Sequence, residues 1–383
     1  MVDKKKISIL FICRGPFGFL GGAASYMFPQ KLTEMGHKVH VISFADTHGK
    51  TDKVYASQKK QIHFNEYWEP SLFQKIKILK DHIVQHKPDI VHVFRIQKYY
   101  LLPIFCKAKG VATPKWLIDI RSPPINPNFP KDILLLKIKR QLRVFQQVGF
   151  DVITSPVLSS AHETFSIVLK PVYEVPFGVD LSNIERKKWG PTIDKKKTIK
   201  FVYVGSLSKQ RKIETLIKAI ALCKKHSLKN FQVDIFGVGN FVNTMELMIK
   251  EMDLENTVHY RGVIPQPELF TRLTEYDVGI GYVPYEQYMG SPALKVLEYM
   301  AANLLVIASD TEGIKKQITH NINGILFQNT PESIARTILD VIENGWSLEV
   351  IEAGYDYALK NSWEAVVRDN LLEVYNKLLS GTV

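Results

Sequence analysis

Cysteine and long apolar runs are both scarce in this sequence, and each shortage excludes something. Only three cysteines, Cys13, Cys106 and Cys223, occur in 383 residues, and none forms a CxxC pair. A disulfide framework or a cysteine zinc site needs closer or more numerous thiols. Buried thiols in a reducing compartment are therefore expected. No stretch reaches the roughly 18 apolar residues of a membrane span. The run Ile7–Cys13 after Lys4, Lys5 and Lys6 ends at Arg14, too soon for a signal-peptide core. The expectation is a cytoplasmic protein that can lie on the inner face of a membrane but not cross it. No DxD motif is present, and no helix-turn-helix, zinc-finger or aromatic RNA-binding signature. Neither a metal cofactor nor a nucleic-acid partner is expected.

What is present suits a globular protein of two domains. Apolar residues make up 45% and charged residues 23%, an ordinary balance for a chain that buries a core. The net charge of +12 is unevenly spread. Residues 1–190 hold 29 Lys and Arg against 15 Asp and Glu, whereas the remainder holds 21 against 23. Such asymmetry points to an anionic surface or substrate for the first half, or simply to a basic solvated face.

Short apolar runs alternate with helix-spaced segments. Ile7–Cys13, Val39–Phe44, Asp89–Phe94, Trp116–Ile120 and Asp151–Thr154 read as strands, with a helix near Leu72–His86. Residues 182–198 are polar, contain Gly190-Pro191 and suit a linker. The theme then returns with strands Ile199–Val204, Phe231–Phe236, Val278–Val283 and Leu304–Ala308, and a helix Ile213–His226. The apolar spacing of Trp363–Leu379 predicts one amphipathic helix. This alternation predicts an α/β protein with parallel sheets. Its domains are expected at 1–181, joined by 363–383, and at 199–362. Ligands of such sheets bind at the carboxyl ends of the strands. The loops Gly15–Gly22 and Gly205–Lys212 are thus expected to face each other across a central cleft.

Three segments carry chemistry. Gly21-Gly22 opens a helix after the first strand, where free N–H groups and the helix dipole suit a phosphate. The loop lacks GxGxxG spacing, and its glycines also suit a plain tight turn. Asp46, just past the second strand, leaves a nicotinamide-binding protein as the competing reading, with a nucleotide-binding module that performs no transfer. Gly205-Ser-Leu-Ser-Lys-Gln-Arg-Lys212 adds Lys209, Arg211 and Lys212, which suit a diphosphate or a solvated basic loop. Gly290-Ser-Pro-Ala-Leu-Lys295 opens a helix whose N–H groups and Lys295 suit an anion. Glu298 lies two turns after Ser291 on the same side, where a carboxylate can accept from a ribose diol, or merely pair with Lys295. In the segment Lys131–Phe145 apolar residues alternate with Lys137, Lys139, Arg140 and Arg143. It suits an anionic membrane surface or an ordinary domain helix.

The ordered set of motifs resembles the retaining glycosyltransferases of family 4, which have the GT-B fold of two Rossmann-like domains. The resemblance runs through Glu34–Ser43, Phe177–Asp180, Tyr203–Ile220, Asp234–Gly239, Tyr260–Leu269, Gly290–Asp310 and Asn323–Phe327. It implies a nucleotide-sugar donor and a glycan or lipid-linked acceptor. Gly21 and Gly22 would lie against the donor diphosphate, with Gly205, Ser206 and Gly237 at the same site. Arg211 matches the family's phosphate-binding lysine, with Lys212 beside it. Backbone groups of Gly290, Ser291, Pro292, Ala293 and Leu294 would hold diphosphate and sugar, together with Lys295. Glu298 would bind the ribose, and Val263 and Ile264 the base. The final helix would cross back to the first domain. Arg121, after Asp119, falls where the family carries a His-Asp pair and is a catalytic candidate. The sequence departs from the pattern at Gly290, where the family has a glutamate, at Ser206 for an arginine and at Phe177 for an asparagine. A subgroup with Ser-Pro-x-x-Lys before Glu-Tyr-Met-Ala carries the same replacement.

Overall fold

A computed structural model describes the chain except residues 1–5, 15–16, 18–22, 46–61, 95–101, 108–113, 122–129, 183, 191–197, 228 and 286–289. The described residues form two compact units, 1–177 with 363–383, and 178–362.

The first unit holds β1 (Ser8–Arg14), β2 (Lys38–Ala45), β3 (His63–Trp68), β4 (Ile90–Phe94), β5 (Lys115–Asp119), β6 (Val152–Ser155) and β7 (Val172–Glu174), in the order 3-2-1-4-5-6-7. The second holds β8 (Ile199–Val204), β9 (Phe231–Phe236), β10 (Val258–Gly262), β11 (Val278–Gly281), β12 (Leu305–Ser309) and β13 (Ile325–Phe327), in the order 10-9-8-11-12-13. Every described strand pairing is parallel.

The central strands are apolar because helices cover both faces. β4 and β12 are buried along their whole length. In the second unit the helix Pro331–Asn344 starts with Thr330 accepting from the Ser333 N–H, carries Pro331 in its first turn and ends before Gly345. Its buried face, Ile334, Ala335, Ile338, Val341 and Ile342, packs against the helix Glu214–His226. Strands β3, β7, β10 and β13 escaped the sequence reading. β3 reads His-Phe-Asn-Glu-Tyr-Trp and lies half-exposed at a sheet edge, so it lacks the apolar run of a covered strand.

Two further expectations change. The segment after Ser362 is not one regular helix. Trp363–Val366 and Leu372–Ser380 flank a π-helical stretch, Val367–Leu371. The wider turn keeps Val366, Val367, Leu371 and Leu372 all buried. The expected linker also packs at its amino end on the second unit. Lys187 pairs with Asp277 at 2.7 Å, and the Trp189 indole donates to the Asn303 carbonyl at 2.8 Å. Trp189 also meets Trp346 edge-on. Its polar neighbours hid this anchor in the sequence.

A buried ion pair ties the parts of the first unit together. Asp119 ends β5, fully buried. Arg121 grips both its oxygens at 2.7 Å and donates to the carbonyls of Val175 (2.7 Å) and Pro176 (3.2 Å). Thr154 donates to Asp119 at 2.9 Å, and His92 stands 3.6 Å away, beyond hydrogen-bond length. The other ring nitrogen of His92 meets the Tyr375 hydroxyl at 2.7 Å. Burial opposes ionisation of Asp119, but Arg121 and His92 outweigh it and hold its carboxyl below the usual range. The network thus joins β4, β5, β6, the chain leaving β7 and the C-terminal segment. Arg121 also lies 4.7 Å from the centre of the Phe28 ring. A guanidinium so committed acts as a clamp on these elements.

Asp119→Ala leaves Arg121 half-buried without its carboxylate and is expected to destabilise the first unit by about 3 kcal/mol. Urea unfolding followed by far-ultraviolet dichroism measures this, and a loss under about 1 kcal/mol contradicts the clamp.

Candidate functional site

Strand order reverses between β8 and β11 in the second unit, since the sheet runs outward to β9 and β10 on one side and to β12 and β13 on the other. Connections diverge at such a point and leave a crevice outside the carboxyl ends. The expected second-half residues all follow carboxyl ends. Gly205 and Ser206 follow β8, Gly237 follows β9, Val263 and Ile264 follow β10, and Gly290–Glu298 come after β11.

Backbone bonds lace the first three of these loops. Gly205 N–H donates to Phe236 at 3.0 Å, Leu207 to Val238 at 2.9 Å and Gly237 to Gly262 at 2.9 Å. Gly237 has φ +150°, and a Cβ there would stand 1.8 Å from the Gly205 carbonyl oxygen. A Cβ on Gly205 would stand 2.8 Å from the Lys295 ammonium. Glycine at 237 lets the chain after β9 lie against the Gly205 backbone after β8.

Lys295 sits in the first turn of the helix Leu294–Ala301, whose start has no side-chain cap. Its ammonium lies 4.0 Å from the centre of the Tyr203 ring, a cation–π contact. Burial first, and then the positive charge of Arg211, push its pKa down to about 7 against the pull of Glu298. Arg211 ends the tight turn Lys209–Arg211. Lys212 follows with left-handed backbone (φ 46°), and its carbonyl accepts from the Tyr282 hydroxyl at 3.1 Å. Two cations from neighbouring strand loops thus converge beside an uncapped helix start. An anion relieves that repulsion and takes up the free N–H groups.

The structure redistributes some expected roles. Ala293 does not offer its N–H to a ligand, because Gln317 accepts from it at 2.9 Å and donates back to the Ala293 carbonyl at 3.2 Å. Val263 is exposed, as is Val238 at the end of the neighbouring strand, and Ile264 is half-buried. Gly290 is buried, whereas Ser291, Pro292, Leu294, Lys295 and Glu298 are half-buried. Gly21, Gly22 and Asp46 lie outside the described residues. Sequence reasoning missed Gln317, Val238 and the two tyrosines under the loop, Tyr203 and Tyr299. Tyr299 accepts from the Val204 N–H at 2.9 Å. No local motif marks these residues, because each acts across the sheet.

Comparison with known proteins bears on the family and the fold. Residues 183–355 match the family model described as glycosyl transferases group 1. The second unit therefore carries a glycosyltransferase group 1 domain of the GT-B superfamily. An uncharacterized glycosyltransferase of Methanocaldococcus jannaschii is 26% identical over 150 residues, 39% of this chain and 37% of that one. The amylovoran biosynthesis glycosyltransferase AmsK of Erwinia amylovora is 26% identical over 146 residues, 38% of this chain and 35% of the relative. The chain thus spans little more than a third of the curated relatives it matches. Among solved structures, a glycosyltransferase from Rickettsia africae superimposes with TM-score 0.74 at 18% identity, covering 98% of this chain and 99% of that one. Anabaena HepE in complex with UDP-glucose gives 0.71 at 15%, covering 97% and 100%. At these identities the likeness shows the fold, which is GT-B.

Replacing a half-buried cation by an apolar chain of similar length removes a repulsion. Lys295→Met is expected to raise the Tm of the free protein by roughly 2–8 °C. Scanning calorimetry at pH 7 checks this, and an unchanged or lower Tm contradicts the assigned strain.

Proposed function

We propose that the protein is a metal-independent, retaining glycosyltransferase of family 4. It moves a sugar from a nucleotide-diphosphate sugar to a glycan or lipid-linked acceptor in cell-envelope or polysaccharide synthesis. The observation that carries this reading is the convergence of Lys295 and Arg211 at the β8/β11 reversal. The group 1 family match over the same unit supports it, as do the UDP-glucose complex of HepE and the biosynthetic role named for AmsK.

In this reading the diphosphate lies between the Gly205–Lys212 loop and the start of the helix Leu294–Ala301. Glu298 accepts from the ribose hydroxyls, and Val263, Ile264 and Val238 bound the base. The bond between anomeric carbon and phosphate oxygen breaks, and its electron pair leaves with the diphosphate. Arg211, Lys295 and Lys212 hold the charge that develops there, a task that needs no divalent ion. The acceptor hydroxyl adds from the face the diphosphate leaves, and its proton passes to the departing phosphate oxygen. Configuration is thereby retained. Gly290 has no side chain to touch the sugar, so donor-sugar contacts here fall to backbone groups of the Gly290–Leu294 turn.

The helix Pro130–Arg143 and the turn after it support a membrane-near acceptor. Leu134, Leu135, Ile138, Leu142 and Phe145 are exposed, with Lys137 and Lys139 exposed among them. An apolar row edged by lysine suits an anionic lipid surface. Arg140 and Arg143 do not share that face. Arg140 donates to the Phe165 carbonyl at 3.4 Å, and Arg143 is half-buried with its pKa lowered by burial and by Arg140.

Incubation with a panel of nucleotide sugars tests the proposal. One donor is expected to release its nucleoside diphosphate slowly without acceptor and in EDTA, and the transferred sugar is expected to keep its anomeric configuration by NMR. Arg211→Ala is expected to lower turnover at least about tenfold, roughly 1.4 kcal/mol. Release of diphosphate from no donor, or an inverted product, defeats the proposal.

A further inference from the structure

A histidine cluster in the first unit takes no part in the function proposed above. His82 and His86 lie one turn apart on the helix Leu72–His86, and His40 approaches them from β2. The three side chains bring potential ligand atoms within 4.8 Å of one another. The His40 and His86 rings stack with centroids 4.1 Å apart, and the His40 and His82 centroids are 4.9 Å apart.

Two ring nitrogens in the cluster are buried without a hydrogen-bond partner, Nε2 of His40 and Nδ1 of His82. Such orphans are uncommon, because an unsatisfied buried polar atom is costly. In each ring a protein side chain holds another position. The Tyr67 hydroxyl lies 2.8 Å from Nε2 of His82, and the Asn65 side chain bonds the His40 ring. Metal-binding histidines show this arrangement, with one nitrogen fixed by a neighbour and the other aimed at the ion.

We propose that His40, His82 and His86 form a binding site for a borderline-soft divalent metal, with zinc the best-suited ion. An H-x3-H pair on a helix, joined by a third imidazole, supplies three neutral nitrogens and leaves a fourth position for water. Nitrogens 2.0–2.1 Å from a tetrahedral zinc stand about 3.3 Å apart, so the rings, with ligand atoms within 4.8 Å of one another, must turn and close by up to about 1.5 Å. A cavity of about 490 Å³ lined by His37, His40, His63 and His86 gives an entry path. His40 stands near the amino end of β2 and His86 in the last turn of its helix. The strand ends that carry ligands in such folds are the opposite ones. The ion would therefore clasp helix to sheet rather than take part in chemistry.

Calorimetric titration of the chelator-treated, tag-free full chain with zinc tests this. About one zinc per chain is expected, with a rise in Tm on loading, and cobalt is expected to give the visible absorption of a tetrahedral site. His86→Gln, at a half-exposed helix end, is expected to fold normally and to weaken zinc binding on the order of 100-fold or more. It should also lose the zinc-dependent rise in Tm. His226→Gln, in the second unit, is expected to bind as the unaltered chain does. Absence of stoichiometric uptake, or uptake unchanged in His86→Gln, overturns the proposal.

Discussion

The reversal of strand order between β8 and β11 is the constraint on which the candidate site depends. Two adjacent parallel strands send their connections to opposite faces, so their carboxyl ends are left with room between them. Each neighbouring feature then follows. Gly237 is glycine because the Gly205 carbonyl occupies its Cβ position, and the Lys295 ammonium comes within 2.8 Å of where a Cβ on Gly205 would stand. The helix after β11 starts without a side-chain cap. Gln317 pins the turn before that helix through Ala293 on both sides.

The protein uses buried charge in two opposite ways. In the first unit Asp119 and Arg121 neutralise each other, and Thr154, Val175 and Pro176 take up further polar valences. That arrangement has little left for a ligand and serves as a fastening. In the second unit burial of Lys295, and then the positive charge of Arg211, push its pKa down to about 7, with Glu298 compensating only in part. Depression of a lysine pKa means that the folded state resists a charge the unfolded chain accepts freely. An anionic ligand removes the resistance, and the strain of the free protein becomes part of its affinity.

Much of this was legible in the sequence because it is local. The strands Ile199–Val204 and Phe231–Phe236 are apolar runs between turn residues, and their observed bounds coincide with the runs. The Gly205 loop and the Gly290–Glu298 turn could be singled out because glycine, proline and charge concentrate there. The rest was hidden for identifiable reasons. Edge strands such as His63–Trp68 alternate too weakly to be told from a loop. Trp189 sits in a basic stretch that resembles a linker, although its indole is anchored on Asn303. The four hydrogen bonds by which Arg121 clamps Asp119 to the chain after β7 join residues far apart in sequence. The His40, His82 and His86 cluster joins residues more than forty positions apart, and no spacing rule links β2 to the helix Leu72–His86.

The most direct measurement is the affinity of a nucleotide sugar as a function of pH, in EDTA, by calorimetry. The diphosphate of a nucleotide sugar keeps its charge across the range, so the protein's own titration dominates. Lys295 is protonated below about 7, and that form attracts the diphosphate. Affinity is expected to be highest below pH 7, to fall as pH rises through it, and to be lost in Lys295→Met. Affinity that does not change between pH 6 and pH 9, or that survives in Lys295→Met, contradicts the account.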